Sequence, residues 1–383
     1  MRKVSFTDCI ELVGEAPKKY KGEKKYVSTG AVNCNEIDQT QIESVSFDSK
    51  PSRANLVAEE GDVLFAKMQN THKVLLVSSD LQENIYSTGF CAVRARKHYL
   101  TTECLFYLLN SPQFLSQKDK FCSGATQRAI TNESLTKINI TLPELNEQAG
   151  IVQRLDYIED LIKKRKKQIE KIDLLVKSKF IEMFGDFDLG THKYGTQRLG
   201  QLSYKISDGV HAKPEYIKQG KPFISVQNIN RGVIDFENCK FVSEEAYQKI
   251  IKSSHPNKGD ILYTKVGATY GIPAYVNTEK DFCLYVSVCL IKPNPNLINP
   301  RFLSVSMGMR YVKKQADERI KGIGVPDLHL NQIREFEIIV PPFDIQNYFV
   351  AFIEQIDKAK LKVKQSLEKL ETLRKALMQK YFG

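Results

Sequence analysis

Residues 144–185 read ELNEQAGIVQRLDYIEDLIKKRKKQIEKIDLLVKSKFIEMFG, and this stretch decides the architecture of the chain. It follows Pro143, contains no proline, and has a single internal glycine, Gly150, near its start. Apolar residues recur at alternating intervals of three and four, which is the seam of a coiled coil. The pattern predicts a helix of about 40 residues, roughly 60 Å long at 1.5 Å per residue. The seam residues are Leu155, Ile158, Ile162, Ile169, Ile172 and Val176.

The same pattern returns at the end of the sequence, displaced by 198 residues. Pro143 corresponds to Pro341, and Gln148 corresponds to Gln346. The second seam consists of Ile353, Ile356, Val363, Leu367, Leu370 and Leu377. Basic residues interrupt the two seams, and we expect their long side chains to reach water; they are Arg165, Lys179, Lys360 and Arg374. A duplicated helix of this length packs most simply against its own copy, in an antiparallel pair.

The segments that precede the two helices are duplicated as well. Gly61-Asp62-Val63-Leu64 corresponds to Gly259-Asp260-Ile261-Leu262, and Cys91 corresponds to Cys289. Strand-like and helical patterns alternate in both copies, which indicates α+β domains. In the first copy the patterns predict helices over 6–13 and 100–109 and strands within 25–28, 57–68, 73–78 and 89–93. The polar residues between the matched positions differ, as expected of two domains that bind different targets.

Composition narrows the classes of partner. The chain has 383 residues, with 42% hydrophobic and 26% charged residues, as is ordinary for a globular protein. Its net charge of +11 and its pI near 9.0 favour a polyanionic partner, although lysine-rich helices contribute to the excess. No apolar run approaches the ~20 residues of a membrane span, and the N-terminus does not resemble a signal peptide. We therefore expect a cytoplasmic protein with no membrane contact, whose eight cysteines are reduced and lack zinc-ligand spacing.

Motifs for catalysis are missing from the sequence. The nearest match to the Asn/Asp-Pro-Pro-Tyr/Phe loop of an amino-methyltransferase is Val340-Pro341-Pro342-Phe343, which has valine where a polar group must hold the amine. Its better interpretation is the end of a strand before a helix. The chain has no Gly-x-x-x-x-Gly-Lys-Ser/Thr phosphate loop, and its six histidines are scattered without useful partners. We expect neither a catalytic residue, nor a metal, nor a cofactor on this chain.

The order globular–helix–globular–helix, the Gly-Asp-hydrophobic-Leu strand in each globular part, and the Pro and Gln that open each long helix resemble the specificity subunit of a Type I restriction-modification enzyme. The resemblance covers the whole chain. It implies two target recognition domains that each read one half of a split site in double-stranded DNA, related by a pseudo-twofold axis. It also implies that the paired helices set the spacing and bind two methyltransferase subunits, which carry S-adenosylmethionine, while restriction subunits join through them and use ATP.

These implications give four predicted segments: a first target recognition domain over 1–143, a central helix over 144–185, a second recognition domain over 186–343 with a linker at about 186–198, and a C-terminal helix over 344–383. Base reading requires forked donors and acceptors on accessible loops. The candidates for DNA contact in the first domain are Lys67, Gln69, Asn70, His72, Lys73, Thr126, Gln127 and Arg128. Those in the second are Gln227, Asn228, Arg231, Lys265, Thr269, Tyr270, Lys321 and His329.

Lys67 and Lys265 occupy equivalent positions, which favours a shared, sequence-independent contact with phosphate. Each candidate, taken alone, fits an ordinary solvated loop residue as well. Two other functions stay open at the level of the sequence: a coiled-coil adaptor that binds proteins, and a DNA-binding regulator that works without restriction-modification partners. A gel-shift assay at two salt concentrations tests the adaptor, because phosphate contacts weaken steeply with salt. Copurification with a methyltransferase subunit would argue against the stand-alone regulator.

Overall fold

The computed structural model describes residues 2–33, 35–230, 232–320 and 324–383, apart from the side chain of Asn230. The chain forms two compact units. Unit 1 comprises Met1–Lys167 and Val363–Gly383, and unit 2 comprises Gln168–Lys362. Each unit therefore contains one globular part together with a segment of both long helices. The four functional segments predicted from the sequence remain a proposal, because compactness alone does not separate the helices from the globular parts.

Unit 1 begins with a long run of short β-strands that one short α-helix interrupts near its start, and its other short α-helices follow β11. Its strands are β1 (Arg2–Ser5), β2 (Ile10–Val13), β3 (Glu23–Val27), β4 (Val32–Asn33), β5 (Glu36–Ile37), β6 (Glu43–Ser46), β7 (Ala54–Leu56), β8 (Val63–Ala66), β9 (Val74–Leu76), β10 (Ile85–Ser87), β11 (Phe90–Ala95) and β12 (Asn139–Leu142). Its helices are α1 (Phe6–Cys9), α2 (Thr102–Leu109), α3 (Pro112–Lys120), α4 (Asn132–Leu135) and the first part of α5 (Leu145–Phe184).

Unit 2 has the same plan. Its strands are β13 (Thr196–Arg198), β14 (Ser203–Asp208), β15 (Lys221–Ile224), β16 (Ile229–Asn230), β17 (Val233–Ile234), β18 (Lys240–Val242), β19 (Ile261–Thr264), β20 (Pro273–Tyr275), β21 (Cys283–Leu284), β22 (Val288–Pro293) and β23 (Glu337–Ile339). Its helices are α6 (Glu244–Ile250), α7 (Pro300–Met307), α8 (Arg310–Arg319), α9 (Leu330–Arg334) and the first part of α10 (Phe343–Phe382).

One sheet corresponds strand by strand between the two units, and a second sheet has four strands in unit 1 and three in unit 2. In unit 1 the order β2-β11-β8-β9 forms one antiparallel sheet, and β14-β22-β19-β20 repeats it in unit 2. A second sheet, β6-β3-β10-β7 in unit 1 and β18-β15-β21 in unit 2, contains one parallel pair in each case. The predicted fold class is confirmed: two duplicated α+β parts with two long antiparallel helices. The helix predicted over 6–13 is wrong in its second half, where β2 pairs with β11.

The two long helices run antiparallel within each unit. In unit 1, Arg154 on α5 donates to the Tyr381 hydroxyl on α10, and Arg374 on α10 lies 2.9 Å from Glu159 on α5. In unit 2, Lys360 on α10 contacts the Asp173 carboxylate on α5. The twelve predicted seam residues are all buried or half-buried. Lys360 and Arg374 thus interrupt the seam with ion pairs between the helices, where the sequence suggested only that they reach water.

The glutamine that opens each long helix is a buried clamp. The Gln148 side chain accepts a hydrogen bond from the Thr101 backbone N–H and donates to the Tyr99 and Pro143 carbonyls. Gln346 accepts from Asn299 N–H and donates to the Pro341 carbonyl in the same way. Both glutamines are fully buried. Each therefore ties the start of a long helix to the N-terminal cap of the helix packed beside it.

The Gly-Asp motif also has a structural role in both units. The Asp62 carboxylate accepts from Glu59 N–H and pairs with Arg94 on β11 at 2.7 Å. Asp260 accepts from Asn257 N–H and pairs with Lys292 on β22 at 2.5 Å. The aspartate thus closes the turn before the strand and fixes it to its neighbour. The motif positions the strand end, and the residues after it, without taking part in a site itself.

Candidate nucleic-acid interface

Two loops meet at the end of the Gly-Asp strand in unit 1. The strand-end loop (residues 67–73) follows β8, and the bridge loop (residues 122–130) follows α3. Gln69 N–H donates to the Arg128 carbonyl, and Ile130 N–H donates to the Lys67 carbonyl, both at 2.9 Å. Met68 and Ala129 form an isolated β-bridge. The two groups of candidates that the sequence placed in separate loops therefore form one continuous surface.

Side chains of helix α3 hold the strand-end loop through hydrogen bonds to its backbone. Lys118 is 1% exposed and donates to the Met68 and Thr71 carbonyls at 2.8 and 3.0 Å. The neighbouring Asp119 accepts from Asn70 N–H and contacts His72 at 3.3 Å. Burial alone would raise the pKa of the Asp119 carboxyl, but hydrogen bonds from Lys118, Asn70 and His72 outweigh it, and the pKa is lowered. The loop is thus held rigidly, which suits a surface that must match a shaped ligand.

The other candidates of unit 1 differ in the exposure of their side chains and in the hydrogen bonds that these side chains already make. Lys73 donates to the Thr29 and Gly30 carbonyls, so its ammonium group is already engaged. The Gln69 side-chain amide donates to the Asp119 carbonyl. Thr126, Gln127 and Arg128 are exposed on the bridge loop, with Arg128 donating to the Cys122 carbonyl. Asn70 is exposed and has a positive φ of 56°, a conformation that asparagine tolerates in tight turns.

Lys67 is half-buried, and its ammonium group has no hydrogen-bond or ion-pair partner among the residues that the structure describes. It stands at the junction of the strand-end loop and the bridge loop. A cation without an internal partner at such a junction is available to an external anion. This environment agrees with the contact to phosphate predicted for it, which stays a prediction.

Lys265, the equivalent residue in unit 2, has a different environment. It is only 4% exposed, and its ammonium group lies 3.6 Å from Asp208 at the end of β14 and 3.4 Å from Asp327. Asp327 belongs to the bridge loop of unit 2 (residues 324–329), which is fixed to the strand by a hydrogen bond from Leu328 N–H to the Lys265 carbonyl. The Lys265 ammonium group is buried and paired with two carboxylates of the same unit, so a phosphate group cannot reach it in this structure.

Asp208 sits in a strongly desolvated position. Burial raises the pKa of its carboxyl, and the attraction of Lys265 and His211 offsets that effect only in part. One of its carboxylate oxygens, Oδ1, is buried without a hydrogen-bond partner in the described part of the chain. A buried ion pair of this kind contributes little net stability, because the cost of desolvating its charges offsets their attraction.

The strand-end loop of unit 2 (residues 265–271) is fastened by α8. The Tyr270 hydroxyl donates to Asp317 at 2.5 Å, and the Lys313 ammonium lies 3.4 Å from the centre of the Tyr270 ring. The displacement of 198 residues places Tyr270 on His72 and Asp317 on Asp119. Equivalent aspartates therefore hold the two loops: Asp119 contacts His72 in unit 1, and Asp317 accepts a hydrogen bond from Tyr270 in unit 2. Thr269 is exposed beside Tyr270, and its carbonyl accepts from the Thr264 hydroxyl.

The remaining candidates of unit 2 fall into three groups. Asn228 is 7% exposed, and its amide bonds with Ser225 and with the Asn238 carbonyl, so it shapes a turn in place of offering donors to a ligand. Gln227 and His329 are exposed. Arg231 and Lys321 lie outside the described residues.

Sequence reasoning missed Lys118, Asp119, Lys313 and Asp317, because each belongs to a helix that carries no motif. The internal repeat could have shown the two aspartates, since they coincide at the same displacement as the Gly-Asp strands. Within the described ranges, no three His, Cys, Asp or Glu side chains are placed to hold a metal ion. No helix there is long and apolar enough to cross a bilayer.

The chain thus consists of two duplicated α+β parts with polar loops at equivalent strand ends, together with two long paired helices. A sequence profile described as the Type I restriction modification DNA specificity domain matches residues 12–171 and again 194–372. The chain belongs to this family.

Its relatives are distant in sequence. It is 23% identical to the Type I restriction enzyme MjaIX specificity subunit of Methanocaldococcus jannaschii, over 74% of this chain and 69% of the relative. It is 22% identical to the EcoBI specificity subunit of Escherichia coli, over 76% and 67%. The crystal structure of the Type I restriction-modification S subunit from M. genitalium shares the fold, with a TM-score of 0.59 and 16% identity over 100% of this chain and 96% of that one. A chain from a structure of type I R-M complex assembly gives 0.58 and 21%, over 99% and 97%.

Proposed function

We propose that this chain is the sequence-reading subunit of a Type I restriction-modification complex, in which each unit reads one half of a bipartite DNA site. The observation that carries the proposal is the junction of strand-end loop and bridge loop, built twice on one scaffold with different polar residues. An equivalent scaffold gives both units the same approach to the double helix, and the differing side chains give each unit its own bases.

The reading surface that we propose consists of the loop residues that remain accessible. In unit 1 these are Lys67, Asn70, His72, Thr126, Gln127 and Arg128. In unit 2 they are Gln227, Thr269, Tyr270 and His329. Lys67 meets the phosphate backbone, whereas the amides, hydroxyls and Arg128 are of the type that reads base edges. The net charge of +11 supports binding to a polyanion in general and does not by itself give specificity.

Methyl transfer and DNA cleavage belong to partner subunits in this proposal. Two methyltransferase subunits that bind S-adenosylmethionine dock on the long helices, and restriction subunits that use ATP join through them. The outer faces of the helices offer apolar side chains for docking, among them Tyr157 at 65% exposure and Leu174 at 62%.

Reconstitution tests the assignment. The purified chain should transfer no methyl group to DNA, whereas the chain with its methyltransferase subunits should methylate adenine at one bipartite sequence, detected by sequencing of methylated bases. Methyl transfer by the chain alone would contradict the proposal. Binding to DNA that is insensitive to salt would favour a protein-binding adaptor.

A paired insertion tests whether the helices set the spacing between the two half-sites. Seven residues added after Glu170 and seven after Val363 preserve the heptad seam of both helices. They lengthen the pair by about 10 Å at 1.5 Å per residue, equivalent to up to three base pairs at ~3.4 Å each. Methylation mapping should show a longer nonspecific spacer and unchanged half-sites. The control inserts seven residues after Glu170 alone, which breaks the pairing and should abolish activity; an unchanged spacer in the paired variant would exclude the ruler.

A further inference from the structure

We propose that the two equivalent lysines have different roles: Lys67 contacts the DNA backbone, whereas Lys265 is a positioning residue that ties the bridge loop of unit 2 to the end of β14. The inference rests on the proposed function, because it divides the work within the proposed reading surface. It departs from the expectation, drawn from equivalence alone, that both lysines bind phosphate.

The registers of the two sheets explain why only one lysine is neutralised. Asp208 faces Cys289 across β14 and β22. In unit 1 the position opposite Cys91, which corresponds to Cys289, follows Val13 and is Gly14. Gly14 has a φ of +93°, and a Cβ atom there would lie 2.6 Å from the Leu56 side chain and 2.9 Å from the Ala92 Cβ atom, so an aspartate at this position would be strained.

The second carboxylate is missing from unit 1 for an equally simple reason. Asp327 forms an isolated bridge with Val266, and the corresponding bridge in unit 1 joins Met68 to Ala129. Alanine therefore stands where the bridge loop of unit 2 presents a carboxylate. Both acidic partners of Lys265 are thus replaced by residues without charge, and none of the residues that the structure describes pairs with the Lys67 ammonium group.

Burial decides what Lys265 can do. A phosphate could reach this side chain only if both carboxylates moved away, which would leave charges without partners in a desolvated place. In its present position Lys265 bridges two elements: Asp208 at the strand end and Asp327 on the bridge loop. The backbone supports the same connection, since Gly267 N–H donates to the Pro326 carbonyl. The loop that carries His329 is therefore placed by Lys265.

Matched substitutions separate direct contact from positioning. Lys67→Met and Lys265→Met are compared in the full chain assembled with its methyltransferase subunits. One probe is a duplex of mixed sequence. The other is an unmethylated duplex that carries the recognition sequence identified by methylation mapping. Binding to each is measured at several salt concentrations. The controls are Lys97→Met and Lys258→Met, which make the same change of charge at exposed positions beyond the opposite ends of the strands.

The expected results differ in kind. Lys67→Met weakens binding to both duplexes alike and lowers the salt slope by about 0.9, the value of one phosphate contact. Lys265→Met has the same salt slope as its control, Lys258→Met. It lowers the preference for the correct bases at one half-site by about tenfold, and the preference at the other half-site is unchanged. A salt slope that falls with Lys265→Met, with base preferences intact, would overturn the proposal.

Exchange of the carboxylate between the units gives a second, independent test. Ala129→Asp places an acid beside Lys67 and should lower the salt slope as Lys67→Met does, whereas Ala129→Asn, of the same size, should not. Asp327→Ala should relax the same half-site as Lys265→Met, and the double variant should be no worse than either single one. If the Lys265→Met chain does not assemble with its methyltransferase subunits, Asp327→Ala alone still tests whether this ion pair positions the bridge loop. Additive effects of the two substitutions would refute the connection.

Failure of the inference is distinguishable from failure of the proposed function. If the assembled wild-type complex binds neither duplex in a salt-dependent manner, the chain is not a DNA reader. If the wild type binds and discriminates but the two lysines behave alike, the proposed function stands and the division of roles is wrong.

Discussion

The strand-end loops of the two units start at equivalent lysines and are fastened by equivalent aspartates, yet their charges are arranged differently. In unit 1, a second lysine, Lys118, is buried beneath the loop, and the Lys67 ammonium group has no partner within the described part of the chain. In unit 2, alanine stands at the position of Lys118, and Lys265 is held between two carboxylates. Duplication thus preserved the backbone frame of the two loops, whereas the partners of the equivalent lysines differ.

The positions that stayed the same are those that close the backbone. Gln148 and Gln346 make matching hydrogen bonds, and Asp62 and Asp260 make matching ion pairs. These groups satisfy buried backbone donors and acceptors, and few other side chains can do so in the same space. The loops have no such requirement, because several arrangements of charge can hold them. A reader of two different half-sites can vary there at little structural cost.

The largest expected effect concerns the lysine that only unit 1 possesses. Lys118→Met removes a fully buried charge that serves two carbonyls and Asp119, and it should lower the free energy of unfolding by about 3 kcal/mol. Lys97→Met, at an exposed position, should change it by less than ~0.5 kcal/mol. Chemical denaturation measures both. If Lys118→Met relaxes discrimination, the affected half-site should be the one that Lys265→Met leaves unchanged; a stability equal to the control would show that the lysine does not fasten the loop.

The next effect should be equal in the two units. Gln148→Leu removes the partner of the Thr101 N–H and of the Tyr99 and Pro143 carbonyls. Gln346→Leu removes the partner of the Asn299 N–H and of the Pro341 carbonyl, and each variant should lose about 2 kcal/mol. Gln153→Leu, at an exposed position on α5, is the matched control. Thermal unfolding monitored for both variants should give similar shifts. A large difference between them would mean that the scaffold is less symmetric than its hydrogen bonds indicate.

The smallest expected effect is that the contributions of Asp119 and Asp208 to the free energy of unfolding change in opposite directions with pH. The pKa of Asp119 is lowered, so its contribution to stability is present above the unfolded pKa near 3.8 and is lost as the pH falls through the lower folded value. The pKa of Asp208 is raised, so its ionisation destabilises the fold progressively as the pH rises from about 3.8 through the higher folded value.

Two asparagine variants therefore respond in opposite directions. Asp119→Asn should lose stability relative to wild type at neutral pH and approach wild type in acid. Asp208→Asn should be at least as stable as wild type at neutral pH, with the difference vanishing in acid. Thermal melting between pH 3 and pH 7 measures both. Curves for the two variants that shift in the same direction would show that the two carboxylates have similar environments.

Most of the architecture could be predicted because its signals are local or repeated. The alternation of three and four along α5 is a property of neighbouring residues, and the displacement of 198 residues reveals the second copy without any knowledge of contacts. The family resemblance followed from these same features. Boundaries failed where local pattern was ambiguous, as over 6–13, because the pairing of β2 with β11 overrides the helical preference of the segment.

The sequence by itself determined the duplicated α+β units, the paired helices and the loops in which to look for a reading surface. Tertiary structure alone decided which side chains on those loops are free. Asn228 and Lys265 are polar residues that resemble their exposed neighbours in sequence, but both are buried. The partners of Lys265 come from separate segments, because folding brings β14 and the bridge loop of unit 2 to the same lysine. Charge pairing depends on distances of a few ångströms in space, and local patterns of sequence do not contain them.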